Sequence, residues 1–209
     1  MSSDARFWDR ASRKYAQSAI ADQAGYECTI NRTLGLLAPN DRVLELGCGT
    51  GTTALRLAGG VKSYFATDIS PEMIAIAIER HADNPVPGLV FDTGVAESVM
   101  PVSLGFNAVI GFNYLHLVRD LRGTLCQIHA LLAAGGLFIS KTPCVGDMNV
   151  LIRLALPVMR AVGKAPYAGT FRATELKKSI ATAGFDILAV ESHATKSNEV
   201  RPYIVARKR

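Results

Sequence analysis

A chain of 209 residues, 49% hydrophobic and 20% charged, can bury a sizeable core without disulfides or metal and suits one α/β domain better than two small ones. Its four cysteines, Cys28, Cys48, Cys126 and Cys144, make no CxxC pair, which argues against a zinc site or a disulfide framework and suits a reducing, cytoplasmic compartment. The net charge of +5 is mild, and no aromatic residues interleave the basic residues near Arg10, Arg13 and Lys14, at Lys177 and Lys178, or at Arg207, Lys208 and Arg209; no nucleic-acid partner is expected, and these clusters read as solvated helix faces and a frayed tail.

The opening MSSDARFWDR carries charges and no apolar run of signal-peptide length. Two helices are expected first, over about Phe7 to Tyr15 and Ala24 to Leu37, forming a cap within residues 1–38. After the Pro39-Asn40-Asp41 turn, Arg42 to Leu46 (RVLEL) reads as a buried strand, and the chain enters a helix by Ala54 to Leu57. Ser63 to Asp68 (SYFATD) is a second strand. Ser70-Pro71 then supplies an N-cap with proline at the first helical position, opening a helix from Glu72 to Arg80.

Leu89 to Asp92 is a short third strand and Asn107 to Phe112 (NAVIGF) a fourth. A helix from about Leu117 to Ala133 places Leu121, Leu125, Ile128 and Leu132 on one face, with Gly135-Gly136 expected to stop it before a fifth strand, Leu137 to Ser140. A helix from about Thr174 ends at Gly184, and two last strands, Phe185 to Val190 and Tyr203 to Ala206, suit an antiparallel hairpin. Alternation of strand and helix points to a doubly wound, mostly parallel sheet covered on both faces, a single domain over 1–209. The segment Pro143 to Phe171 is an insertion between the fifth strand and the last helix. Like the N-terminal helices, it should sit beside the ligand crevice at the carboxyl ends of the strands.

The strongest chemical signal is Glu45-Leu46-Gly47-Cys48-Gly49-Thr50-Gly51, directly after a strand and before a helix. Glycines let the backbone turn sharply and approach a ligand, and the following helix start offers free N–H groups. A P-loop is excluded because no lysine follows. A GxGxxG nicotinamide fingerprint fails at Thr52. Asp68, ending the next strand, stands where an acidic residue should meet ribose hydroxyls, Ser70 being available to cap the helix instead.

VLELGCGTG closely resembles the E/DxGxGxG loop of class I S-adenosylmethionine-dependent methyltransferases, and Gly94-Val95-Ala96-Glu97 resembles their GDAE segment, with Val95 where that family has aspartate. FWDRASRKYA, FNYLHLV and ATELKKSIATAGF extend the resemblance to most of the chain, and the nearest type is the small-molecule methyltransferases of ubiquinone and menaquinone biosynthesis. The resemblance implies strand order 3-2-1-4-5-7-6 with strand seven antiparallel, and S-adenosyl-L-methionine as cofactor. Its implied binding residues are Tyr15, Glu45, Gly47, Cys48, Gly49, Gly51, Asp68, Ile69, Val95, Ala96 and Asn113.

His116, following the fourth strand on the crevice side, is the candidate base, with a structural histidine at a helix start as the plainer alternative. His81, His129 and His193 have no partners at ligand spacing and read as structural or surface. FNYL stands where amino-methylating enzymes carry NPPY. The insertion, from Asn149, runs VLIRLALPVMRAVGK. If Pro157 does not break it, this is a helix with Arg153, Arg160 and Lys164 on one face, bracketed by Gly146 and Gly163. It reads either as a lid burying Leu154 and Met159 over an apolar acceptor or as a basic amphipathic helix meeting membrane lipid. The expected activity is methyl transfer to a small, apolar or lipid-like acceptor; the alternative is a catalytically silent cofactor-binding subunit.

Overall fold

A computed structural model of the chain describes residues 3–100, 105–195 and 200–209. Two helices come first, α1 (Ser3–Gln17) and α2 (Gln23–Leu34), followed by β1 (Arg42–Leu46), α3 (Thr52–Leu57), β2 (Ser63–Asp68), α4 (Pro71–Asp83) and β3 (Leu89–Thr93). Then come β4 (Phe106–Phe112), α5 (Leu121–Leu131), β5 (Leu132–Lys141), α6 (Val150–Ala161), α7 (Ala173–Thr182), β6 (Phe185–Glu191) and β7 (Tyr203–Lys208). The strands form one seven-stranded sheet in the order β3-β2-β1-β4-β5-β7-β6. Strands β1 to β5 pair in parallel, and β7 runs antiparallel to both β5 and β6. Fold class and strand order are those the resemblance implied.

Central strands of a parallel sheet bury both faces, which is why β1 and β4 are nearly unbroken apolar runs rather than alternating ones. On one face, Leu44, Leu46, Val109 and Phe138 pack with Leu125 and Ile128 of α5 and Leu176 and Ile180 of α7. On the other, Val43, Ile110 and Ile139 meet Ile30 of α2, Leu57 of α3 and Ile74 of α4. The register Glu45↔Ala66 and Glu45↔Ile110 puts the carboxyl ends of β1, β2 and β4 side by side, so everything that follows those strands converges on one crevice.

The boundaries that depart furthest from the sequence expectation around the sheet are those of α5 and β5. Helix α5 starts only at Leu121, because the Asp120 carboxylate accepts from Gly123 N at 2.9 Å and caps it there. It ends at Leu131, before Gly135-Gly136. Strand β5 begins at once with Leu132, opposite Phe106, and passes through Gly135 at φ +69° before re-entering register at Leu137. A β-carbon on Gly105 would lie 2.5 Å from Ala133 N, and this close approach is what lets the early pairing form. Nor is the basic C-terminus frayed: Lys208 Nζ donates to Leu132 O at 2.7 Å and Arg209 N to Gly184 O at 3.1 Å. As the strand between β5 and β6, β7 has backbone partners on both sides to its end.

The helix of the insertion runs through Pro157 without a break. Among the described residues no helix is long and apolar enough to cross a membrane.

Candidate functional site

The loop after β1 is fastened to the end of β2. Gly47 N and Cys48 N both donate to Thr67 O, at 2.8 and 2.9 Å. Gly49 N donates to one oxygen of Asp68 at 2.9 Å, and Ser70 N to the other at 2.9 Å. Ser70 does cap α4, its Oγ accepting from Met73 N at 3.2 Å, yet Asp68 shares in the turn. The Asp68 carboxylate, only 9% exposed, thus holds the glycine loop and the β2–α4 turn at once, with the Ile69 backbone N–H as a further donor to it.

Gly47, Gly49 and Gly51 all have positive φ, +71°, +55° and +78°. A β-carbon on Gly47 would lie 2.8 Å from the Tyr114 ring, and one on Gly51 would lie 2.8 Å from Phe91 and 3.0 Å from Ala77. At Gly49 the only such neighbour within 4 Å among the described residues is the edge of the Tyr15 ring, at 3.7 Å. Two of the three glycines are therefore required by packing, and Gly49 is the one with room beside it. Cys48 turns its side chain into the core, leaving its backbone to the loop.

The crevice is acidic in a chain of positive net charge. Beside Asp68, Asp9 of α1 accepts from Ser70 Oγ at 2.6 Å. Burial raises the Asp68 carboxyl above its usual range, against the pull of the Ser70 and Gly49 N–H groups. Glu45, 2% exposed, accepts from the Tyr64 hydroxyl at 2.9 Å, and burial pushes its carboxyl up to about 7. The stability linked to protonated Glu45 is therefore present below the unfolded value of 4.5 and is lost as pH rises through about 7. Its size is on the order of 3 kcal/mol. Glu45→Gln should flatten the fall in urea midpoint between about pH 5 and pH 8. An identical fall in the variant would detach Glu45 from it.

At the ends of β2 and β3 lies a cavity of about 460 Å³, lined by Ala5, Ile69, Pro71, Thr93, Gly94, Val95 and Ser98. It contains Ile69 and Val95 from the sequence expectation, whereas Ala5, Thr93 and Ser98 were not foreseen. Ala96 is fully buried, and its backbone N–H meets the Tyr114 hydroxyl. The lid over this region is α1, tied down by Asp9, by Arg80 Nη2 donating to Ala16 O at 2.8 Å, and by the Arg119–Asp4 ion pair at 2.8 Å. Arg80 Nη1 also holds Thr50 Oγ1 at 2.8 Å, so one α4 side chain clamps both the glycine loop and α1. Its position in the last turn of a helix carries no sequence signal for that role.

Past the loop, Asn113 sits at φ +51° with its N–H on Lys141 O at 2.7 Å, turning the chain sharply after β4. Asparagine is among the few residues that accept this left-handed backbone. Tyr114 then folds back over Gly47, and His116 follows. Burial, with a smaller contribution from the Arg201 charge, lowers the His116 imidazole to about 4, and among the described residues its buried Nδ1 has no hydrogen-bond partner. The Arg201 charge also acts on Tyr15. The Arg201 charge thereby couples residues on α1 and after β4 to one that precedes β7. Arg201 was not singled out from sequence.

The remaining histidines are structural. His81 Nε2 accepts from Val86 N at 2.9 Å. His129 packs edge-on against Phe185 at 5.2 Å. His193 lies between Thr29 Oγ1 at 3.1 Å and Glu191 Oε2 at 3.0 Å. That trio resembles a nucleophile–base–acid set, but the Thr29 hydroxyl is 2% exposed, donates to Gly25 O and accepts from Lys141, so it ties α2 to the last hairpin instead.

The methyltransferase domain family matches residues 37–206. An uncharacterized methyltransferase of Mycobacterium tuberculosis is 36% identical over 94 residues, 45% of this chain and 46% of that one. The mitochondrial arginine-hydroxylase NDUFAF5 of Mus musculus is 30% identical over 161 residues, 74% of this chain and 45% of that one. The chain thus spans less than half the length of these curated relatives. The solved magnesium protoporphyrin IX methyltransferase of Synechocystis, with bound SAH, has the same fold at a TM-score of 0.72 and 16% identity, covering 99% of this chain and 96% of that one.

Proposed function

The chain belongs to the methyltransferase domain family, and from that premise we propose that it transfers a methyl group from S-adenosylmethionine to a small, apolar or lipid-like acceptor. The observation that carries this reading is the alignment of three features along one crevice. In this reading the 460 Å³ depression takes a flat base, Asp68, next to Ile69 of its lining, takes the hydroxyls, and Gly49, facing the Tyr15 ring at 3.7 Å, lies toward the amino-acid end. The carboxylates of Asp68 and Asp9 suit a ligand carrying positive charge, as a sulfonium does.

In this reading Ile69, Val95 and Ala96 flank the adenine, Asp68 takes the ribose, and Glu45, Gly47, Cys48, Gly49, Gly51, Tyr15 and Asn113 surround the amino-acid end. With Val95 in place of an acid, the adenine edge meets backbone and apolar surface. Bound there, S-adenosylmethionine supplies a methyl carbon on a positively charged sulfur that leaves readily. What the chain adds in this reading is alignment: Asp68 and the loop fix the donor, and Tyr15 and His116 hold the acceptor in line with it. Neutral His116 takes the proton that an O–H, N–H or C–H acceptor loses.

Calorimetry with S-adenosylmethionine, followed by a methyl-transfer screen, tests the reading. Asp68→Ala should weaken cofactor binding by about 1.5–3 kcal/mol, since a charge-assisted pair of hydrogen bonds disappears. Unchanged affinity in the folded variant would remove the ribose assignment. Binding without transfer to any acceptor would make the chain the silent cofactor-binding subunit.

A further inference from the structure

Helix α6 turns its apolar residues the wrong way for a lid. None of its described residues is buried. Leu151 is 74% exposed, Leu154 66% and Val158 65%, with Val150, Met159 and Val162 also open to solvent. At 3.6 residues per turn, Val150, Leu154, Val158, Leu151 and Val162 fall within an arc of about 120°. Arg153 and Arg160 share a stripe bordering that arc, and Lys164 follows at the end. Residues 148–164 contain no Asp or Glu, and the helix is capped by the neutral Asn149, whose Oδ1 accepts from Leu151 N at 2.8 Å.

We propose that α6 is an interfacial helix that lays this arc into an anionic lipid surface, with Arg153, Arg160 and Lys164 at the headgroups. An apolar arc edged by cations and free of carboxylates matches an apolar interior beneath a negative surface. A second copy of the chain is a poorer fit. Two such arcs would bring like-charged stripes together with no acid to pair them. A single three-turn helix also offers far less than the ~800 Å² per partner of a stable interface.

The helix is coupled to the candidate site. The Tyr167 ring has Arg160 of α6 and Arg119 of the β4–α5 rim each 5.0 Å from its centre, and Arg119 in turn holds Asp4 of the α1 lid. Gly169 N donates to His116 O at 2.7 Å. A surface held by α6 would therefore lie next to the segment bonded to the His116 loop, and in the methyl-transfer reading a lipid-dissolved acceptor would arrive there. That last step rests on the methyl-transfer reading; the docking does not.

The test uses the full chain with vesicles of phosphatidylcholine, alone or mixed with phosphatidylglycerol. Co-sedimentation is expected with the mixed vesicles only, falling at least tenfold as ionic strength rises from about 0.05 M to 0.5 M. Arg153→Gln with Lys164→Gln should weaken binding roughly thirtyfold. Leu154→Ser with Val158→Ser should weaken it at least tenfold. Both pairs are solvent-exposed, so Tm and cofactor affinity should stay at the parent's values. No sedimentation, or sedimentation untouched by either pair, overturns the proposal. So does a dimer in light scattering that Leu154→Ser with Val158→Ser dissolves, since the arc then belongs to a second copy. Vesicle binding that persists where no acceptor is methylated leaves the docking standing and removes only the methyl-transfer reading.

Discussion

His116→Ala is expected to lower turnover by about two to four orders of magnitude, the usual worth of a positioned general base, while leaving cofactor affinity within a factor of about three. The imidazole lines neither the cavity nor the glycine loop, so the loss should fall on turnover and not on donor binding. The pH profile supplies a second readout: turnover should fall as pH drops through about 4 and His116→Ala should lack that limb, whereas a structural histidine would produce none. Burial holds His116 neutral down to about pH 4. The basic form is therefore present throughout the neutral range and is lost only as pH falls through about 4. Turnover should accordingly stay level between about pH 6 and pH 5, where a histidine of ordinary pKa would already be losing its free base. Retained turnover in His116→Ala, or an acidic limb near 6.5 that the variant removes, would return His116 to a structural role or an ordinary titration.

Gly51→Ala should cost about 2–5 kcal/mol of folding stability, and Gly49→Ala about 1 kcal/mol. Both positions have left-handed backbone, which costs an alanine roughly 1–2 kcal/mol. At Gly51 the new methyl also enters a filled space, 2.8 Å from the Phe91 ring and 3.0 Å from Ala77, and overpacking adds about 1–3 kcal/mol. For a chain of this size that is a fall in Tm of roughly 4–20 °C. The order should reverse for the cofactor, Gly49→Ala weakening binding more per unit of stability lost, because only its β-carbon would point into open space. Thermal melts and calorimetry on the two variants decide this. Equal Tm losses would show that the space around Gly51 relaxes at little cost.

That contrast marks how far the sequence reads. The glycine loop, its place between a strand and a helix, and Asp68 at the end of the next strand were legible because each depends on local chemistry. A residue without a β-carbon adopts positive φ, a serine before proline starts a helix, and apolar runs of five or six residues make buried parallel strands. Sequence alone could not say that Gly47 and Gly51 are glycines to admit Tyr114, Phe91 and Ala77. Those side chains arrive from the turn after β4, from β3 and from α4, distant in the chain, and only packing brings them there.

The same division holds for the rest of the site. The sequence by itself determined the strand–helix alternation, the loop, the acid beyond it and the histidine after β4, since periodicity and turn chemistry are written over a few neighbouring residues. The tertiary structure decided what converges. Arg80 clamps the loop and α1 together, the Arg201 charge acts on both Tyr15 and His116, and Ala5 lines the cavity, all through residues far apart in the chain. It also decided protonation, because the Glu45 and His116 pKa values depend on burial, which a single sequence does not state. It decided, too, which way α6 faces. An amphipathic pattern fixes that a helix has two sides, but only the packing of the whole chain shows which of them is left to the solvent.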